Sequence, residues 1–181
     1  MIFVSDVKRN ADILLSGGVS AIPTEGVWGL SCRVASLAAI GRILQIKQRD
    51  PTKGLIILVT EFDDLAHWYA CPILKDVEQE LNRPSTWIIP VNLQCPTLLT
   101  GGRQSLAVRR VTMPALIRLI ELTGPLVSTS ANRSGRTACV ARWQVMNQLA
   151  HLVDHVARGR TQGSQKPSTI RDMQTGTIIR D

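Results

Sequence analysis

The sequence predicts an α/β (α+β) fold built on one open mixed sheet, in a single domain spanning residues 1–181. Three observations predict it. Segments with helical spacing alternate along the chain with short apolar segments, the order that packs helices on a central sheet. Leu55–Val59 is an unbroken Leu/Ile/Val run, the mark of a strand buried on both faces. Near the end, Thr175-Gly176 separates two short apolar stretches and turns them into a hairpin, so antiparallel pairing joins the parallel kind. At 181 residues the chain has the length of one ordinary domain and needs no metal or disulfide to fold.

The elements follow in order. Val7, Ala11, Leu14 and Leu15 have helical spacing, and Gly17-Gly18 ends that helix. Val19–Pro23 reads as a strand stopped by proline. Leu37, Ile40, Ile43 and Leu44 again have helical spacing, so Leu37–Ile46 is a helix, followed by the Leu55–Val59 strand. Phe62–Tyr69 and Ile73–Leu81 read as helices, Thr86–Val91 and Ser105–Arg109 as strands. Pro114–Leu122 is a helix with proline in its first turn. Leu126–Thr129 is a strand and Val140–Leu149 a helix. Leu152–Val156, Ser168–Asp172 and Thr177–Arg180 close the chain as short strands.

Composition narrows the function classes. Lys and Arg number 21 against 14 Asp and Glu, a formal net charge of +7. The surplus points to an anionic partner: nucleic acid, nucleotide or a membrane surface, with plain solubilisation as the alternative. Four Trp, two Phe and one Tyr are too few for an RNA-stacking sheet. No apolar run approaches the ~18 residues of a membrane span. The start, MIFVSDVKRN, lacks a basic stretch ahead of an apolar core and so is not a secretory signal. Cys32, Cys71, Cys95 and Cys139 form no Cys-x-x-Cys unit and read as reduced thiols of a cytoplasmic protein. His151 and His155 stand four apart, but nothing supplies a third ligand, so no metal site is assigned. The P-loop, dinucleotide and nucleophile-elbow patterns are absent.

Four polar segments carry the chemistry. Ile22–Leu30 runs a strand into Pro23, Thr24, Glu25 and two glycines, where backbone can approach a ligand closely. Lys47, Arg49 and Lys53 place three cations ahead of the most apolar strand. Arg grips two oxygens at once and Lys supplies a point charge, which suits a polyphosphate, although a helix C-terminus also favours cations. Ser128, Thr129, Ser130 and Asn132 follow a buried strand directly, and strand ends of open sheets bind polar ligands. Alternation puts Ser105, Ala107 and Arg109 on one face of a strand, making Arg109 a candidate carboxylate or phosphate clamp.

Taken in this order, the segments resemble the YrdC-like family, the threonylcarbamoyl-AMP synthases. The resemblance rests on Pro23-Thr24-Glu25-Gly26-Val27-Trp28-Gly29-Leu30, Lys47-x-Arg49 with Lys53, Val108-Arg109, Ser128-Thr129-Ser130-Ala131-Asn132 and Pro167-Ser168-Thr169-Ile170, and covers nearly the whole chain. It implies a twisted mixed sheet around a large basic concave cavity. It also implies a reaction, in which L-threonine, bicarbonate (or CO2) and ATP give threonylcarbamoyl-adenylate and pyrophosphate. A separate transferase complex then moves the threonylcarbamoyl group to an adenosine of tRNA. The family's roles place Lys47, Arg49 and Lys53 along the triphosphate, with Lys47 and Arg49 as the catalytic pair. Ser105, Ser130, Asn132 and Arg180 contact ATP; Thr24, Arg109, Ser128 and Ser168 hold threonine. Mg2+ is implied, held mainly by the nucleotide. Gly26, Trp28 and Arg83 depart from the family pattern and bear on the threonine pocket and the loop shape. An RNA-binding module without catalysis, or a paralogue using another acceptor, is the alternative, and direct tRNA contact would rest on Arg103, Arg110, Arg133 and Arg136.

Overall fold

The computed structural model describes residues 4–74, 77, 85–133, 135–163 and 168–180. The Ile73–Leu81 helix expected from sequence, the Asn82-Arg83-Pro84 turn and Pro167 of the last motif lie mostly or wholly outside them.

Helix α1 (Val4–Leu15) leads into β1 (Ser20–Pro23), which turns back as β2 (Trp28–Arg33). Helix α2 (Leu37–Lys47) starts where the Ser36 hydroxyl accepts the Ala39 N–H, and stops at Gln48, whose φ of 47° is left-handed. A 3-10 turn at Pro51–Lys53 precedes β3 (Ile56–Val59). Phe62–Trp68 is 3-10 rather than α-helical, followed by β4 (Ser85–Pro90), the one-turn helix α3 (Thr97–Thr100) and β5 (Ser105–Arg110). Helix α4 (Pro114–Thr123), β6 (Leu126–Ser130), α5 (Arg142–Leu149), β7 (His155–Val156), β8 (Thr169–Asp172) and β9 (Ile178–Arg180) complete the order.

The described strands form one mixed sheet in the order β7-β1-β2-β6-β3-β5-β4-β8-β9. β1/β7, β3/β5 and β4/β8 pair parallel, and the remaining neighbours antiparallel. The expected β8–β9 hairpin is present, its turn held by Asp172, whose side chain accepts the N–H groups of Gln174 and Thr175. Strand β2 was read from sequence as part of a polar loop. It lies between β1 and β6 with Trp28, Leu30 and Cys32 fully buried. The expected Leu152–Val156 strand shortens to two residues, because the chain turns at residues 151–154.

Register lines up two rows across the sheet centre. Val127, Ile57 and Val108 form one row, all buried, on the face where α1, α2 and α4 pack. Ser128, Ile56, Ala107 and Ile88 form the next row, pointing to the other face by the two-residue period. The core therefore sits under the helices, and the opposite face is left partly open.

Candidate active site

Three clefts adjoin one another here, and the first two use that open face as their floor. The first, about 660 Å3 including its open mouth, is lined by Thr24, Trp28, Gly29, Arg49, Arg109, Ser128, Ser130, Ser168 and Arg180, among others. The second, about 840 Å3, is more apolar: Leu55, Ile56, Ile88, Leu99, Ala107, Ile170 and Ile179 line it together with Arg49, Lys53, Arg103, Ser105 and Arg180. The third, about 470 Å3, collects Lys47, Arg49, Lys53, Ser130, Asn132 and Asp50. Arg49 lines all three. Every residue singled out from sequence as a site candidate lines at least one of them. The first two clefts lie on a sheet face, while Thr24 just after β1, and Ser130 and Asn132 at the end of β6, stand at strand ends.

Local backbone explains how these side chains arrive. Thr24 is fixed in the β1–β2 turn: its hydroxyl donates to the Val27 carbonyl at 2.7 Å and its N–H to the same oxygen at 3.2 Å. Gly29 has no side chain because a Cβ there would lie 2.7 Å from the Ser128 hydroxyl. Lys53 is held by a close backbone approach. Gly101, at φ 67°, presses on Gly54 and Thr52, and a Cβ at Gly101 would come within 2.6 Å of both. Asp50 caps that 3-10 turn by accepting the Thr52 N–H, which holds its carboxyl below the ordinary range. Ser168 meets the Thr86 hydroxyl at 2.6 Å, and its carbonyl accepts from Arg180 at 3.1 Å.

The electrostatics are those of a graded cation cluster, with Lys47 and Arg109 buried, Arg49 half-buried, and Lys53, Arg103 and Arg180 exposed. Lys47 is 4% exposed. Its ammonium group donates to the Ser130 carbonyl, the Asn132 carbonyl at 3.1 Å and the Asn132 amide oxygen at 3.0 Å, with the Ser130 hydroxyl at 3.4 Å. Burial first, then the neighbouring Arg49, lowers its pKa to about 8. All three ammonium hydrogens are thus committed to the segment after β6, so Lys47 braces that loop as well as charging the third cleft. Arg49 donates to the Gly54 carbonyl at 3.0 Å; burial, then Arg103 and Arg180, lowers its pKa. Arg109, on β5, is 7% exposed and lies 3.4 Å from Glu25; burial lowers its pKa and Glu25 opposes the shift.

Unmet hydrogen bonding marks what this site would accept. Trp28 Nε1, Arg49 Nε and Arg109 Nε are buried donors without an acceptor, and all three residues line the first cleft. Buried donors left unpaired are costly, about 1–3 kcal/mol each, and an anion with several oxygens would offer them acceptors. Arg103, one of the residues on which direct tRNA contact would rest, is exposed, lines the second cleft and donates to the Lys53 carbonyl at 3.4 Å. The Gly101-Gly102 pair ahead of it turns the chain at positive φ. His155 faces Asp6 at 3.3 Å and His151 faces Arg133 at 3.4 Å, so the two histidines point to different partners. Among the described residues no group of three or more His, Cys, Asp or Glu comes together to hold a metal.

A family model described as telomere recombination, covering Sua5, YciO and YrdC, matches residues 12–181. A protein of Stutzerimonas stutzeri named threonylcarbamoyl-AMP synthase is 38% identical over 177 residues, 96% of each chain. The structure of P. abyssi Sua5 complexed with L-threonine superposes with a TM-score of 0.84 at 27% identity, covering 95% of this chain and 52% of that one. E. coli YciO shares the fold, with a TM-score of 0.83 at 22% identity over 97% of this chain and 88% of its own. With a family model spanning nearly its whole length and a near full-length relative above one-third identity, the chain belongs to the Sua5, YciO and YrdC family.

Proposed function

We propose that this protein is a threonylcarbamoyl-AMP synthase, a nucleotidyltransferase that joins L-threonine, bicarbonate (or CO2) and ATP into threonylcarbamoyl-adenylate and pyrophosphate. The observation that carries the reading is the meeting of three chemically different clefts at Arg49. The first, with hydroxyls and Arg109, suits an amino acid whose carboxylate needs a clamp. The second, apolar with a cationic rim, suits an adenosine. The third, with Lys47, Lys53, Ser130 and Asn132, suits a polyphosphate. Their junction is where a carbamate oxygen would meet the α-phosphorus.

In this reading Thr24, Arg109, Ser128 and Ser168 hold threonine; Ser105, Ser130, Asn132 and Arg180 contact ATP; Lys47, Arg49 and Lys53 line the triphosphate. The carbamate is an anion already, so its attack needs no strong protein base. It needs two anions held together and charge on the departing pyrophosphate offset, work done by position and fixed cations. That accounts for a site rich in Lys, Arg, Ser and Thr. The donor set offers a metal little direct ligation, and Mg2+ would arrive on the phosphates, where it would neutralise charge. The product would feed a transferase complex that acts on tRNA, in the cytoplasm. No helix among the described residues is long and apolar enough to cross a membrane.

The test is pyrophosphate release by the purified chain. Release is expected only when ATP, threonine and bicarbonate are all present. Threonine-independent release, or none, refutes the reading. Tight, salt-sensitive RNA binding without any release would favour the RNA-binding alternative.

A further inference from the structure

We propose that Glu25 is the positioning residue of the carboxylate clamp: it reaches across the sheet to orient Arg109 and to pin the turn that carries Thr24. The proposal rests on reading the first cleft as a threonine site.

Glu25 is 2% exposed and does not line the cleft. It sits in the turn between β1 and β2, whereas Arg109 is on β5, and strands β6 and β3 lie between β2 and β5 in the sheet. One carboxylate oxygen, Oε1, accepts the backbone N–H of Thr112 at 3.1 Å, just beyond the end of β5. The other, Oε2, lies 3.4 Å from Arg109 Nη2 and accepts no hydrogen bond. A buried arginine beside one carboxylate ordinarily closes a two-bond fork. Here that fork is open. Arg109 Nε has no acceptor, and the pair meets through one long contact.

Charge is therefore balanced while hydrogen bonding is not. Glu25 offsets the burial of the Arg109 cation, which alone would be a buried, uncompensated charge. It leaves the guanidinium donors for a second carboxylate arriving from the cleft. Because Glu25 also ties the Thr24 turn to the exit of β5, two of the residues assigned to threonine depend on it. The third cleft is built differently, from Lys47 bonded to the segment after β6. Loss of Glu25 thus falls on the amino acid and spares the nucleotide.

The test compares wild type with Glu25→Gln, which keeps the shape and an oxygen for the Thr112 N–H but removes the charge. Threonine KM and Kd are expected to rise at least tenfold, with kcat falling less and ATP KM within twofold. Preference for threonine over its alcohol analogue, which lacks the carboxylate, shrinks by the same factor. Unchanged threonine affinity overturns the proposal, as does an equal loss for threonine and ATP, which a merely structural role would give. Should Glu25→Gln not fold, Glu25→Asp, with the charge on a shorter arm, is expected to show the same selective loss, and its absence overturns the proposal. Wild type that turns over threonine beside an unaltered Glu25→Gln overturns this proposal alone; wild type that binds no threonine overturns both readings.

Discussion

Replacing Lys47 with Met tests the electrostatics of the third cleft. Burial and Arg49 lower the Lys47 pKa from 10.5 to about 8, so charging it in the folded protein costs about 3 kcal/mol relative to water. Lys47→Met removes that cost. It also strips the Asn132 carbonyl of its ammonium donor, a loss of about 1–3 kcal/mol, while the Ser130 carbonyl keeps the Asn132 N–H. The two effects oppose, so stability at pH 7 should change by no more than about 2 kcal/mol, whereas pyrophosphate release should fall at least a hundredfold. The pH dependence separates the terms. Between about pH 8 and 10.5 the folded Lys47 has lost its proton and the unfolded one has kept it, so wild-type stability gains with rising pH. Cys32 and Cys95, pushed by burial up to about 12 and 11, act with opposite sign above pH 9, but equally in both proteins, whereas Cys139, raised by burial and lowered by Lys47, does not cancel between them. Urea unfolding of the two proteins from pH 7 to 10.5 should show a stability difference that shifts toward wild type by about 3 kcal/mol across that window. Parallel profiles would refute the burial argument.

The remaining predictions concern other links. Arg49→Lys keeps the charge but cannot bond Gly54 and grip phosphate oxygens together, so ATP KM should rise about tenfold while the fold, followed by circular dichroism, is retained. Gly29→Ala drives a methyl against the Ser128 hydroxyl; threonine KM should rise more than ATP KM, with about 1–3 kcal/mol of stability lost in urea. Ile57→Ala, in the fully buried row beneath the helices, should cost about 2–5 kcal/mol in urea unfolding and leave kcat/KM unchanged well below the melting temperature.

What the sequence reveals of the fold follows how strongly each element is patterned. Leu55–Val59 is unambiguous because its burial is nearly complete, and Leu37–Ile46 because Ile40, Ile43 and Leu44 mark one buried helix face, and both elements are found within a residue or so at each end. Strand β2 was missed for the reason that makes it useful. Trp28, Leu30 and Cys32 alternate with Gly29, Ser31 and Arg33, a legible two-residue period, but glycine and serine there read as loop. Gly29 is small because Ser128 needs the space, so the residue that shapes the cleft also hides the strand. The apolar pattern of Leu152–Val156 announces β7, but its two-residue length is set by pairing with β1 at Ser20 and Ala21, a long-range contact.

The candidate site divides along the same line between local and distant causes. Lys47, Arg49, Ser128 and Asn132 could be singled out because polar residues cluster where apolar ones are due, a local anomaly visible in one dimension. Arg103 and Glu25 could not be placed so, since each takes its meaning from a residue far away in the chain: Arg103 from Lys53 and the charge of Arg49, Glu25 from Arg109 and Thr112. The net charge of +7 shows the same limit. Composition alone left the surplus between nucleic acid, nucleotide, membrane surface and plain solubilisation, yet the cations lining the clefts, Lys47, Arg49, Lys53, Arg103, Arg109 and Arg180, converge there from four separate parts of the chain. Lys47 and Arg49 have lowered pKa values, through burial first and then through the repulsion of neighbouring cations. A fold that holds them together without enough acids to neutralise them is strained electrostatically until an anion enters, which is why the cluster is better explained by a ligand than by solubility.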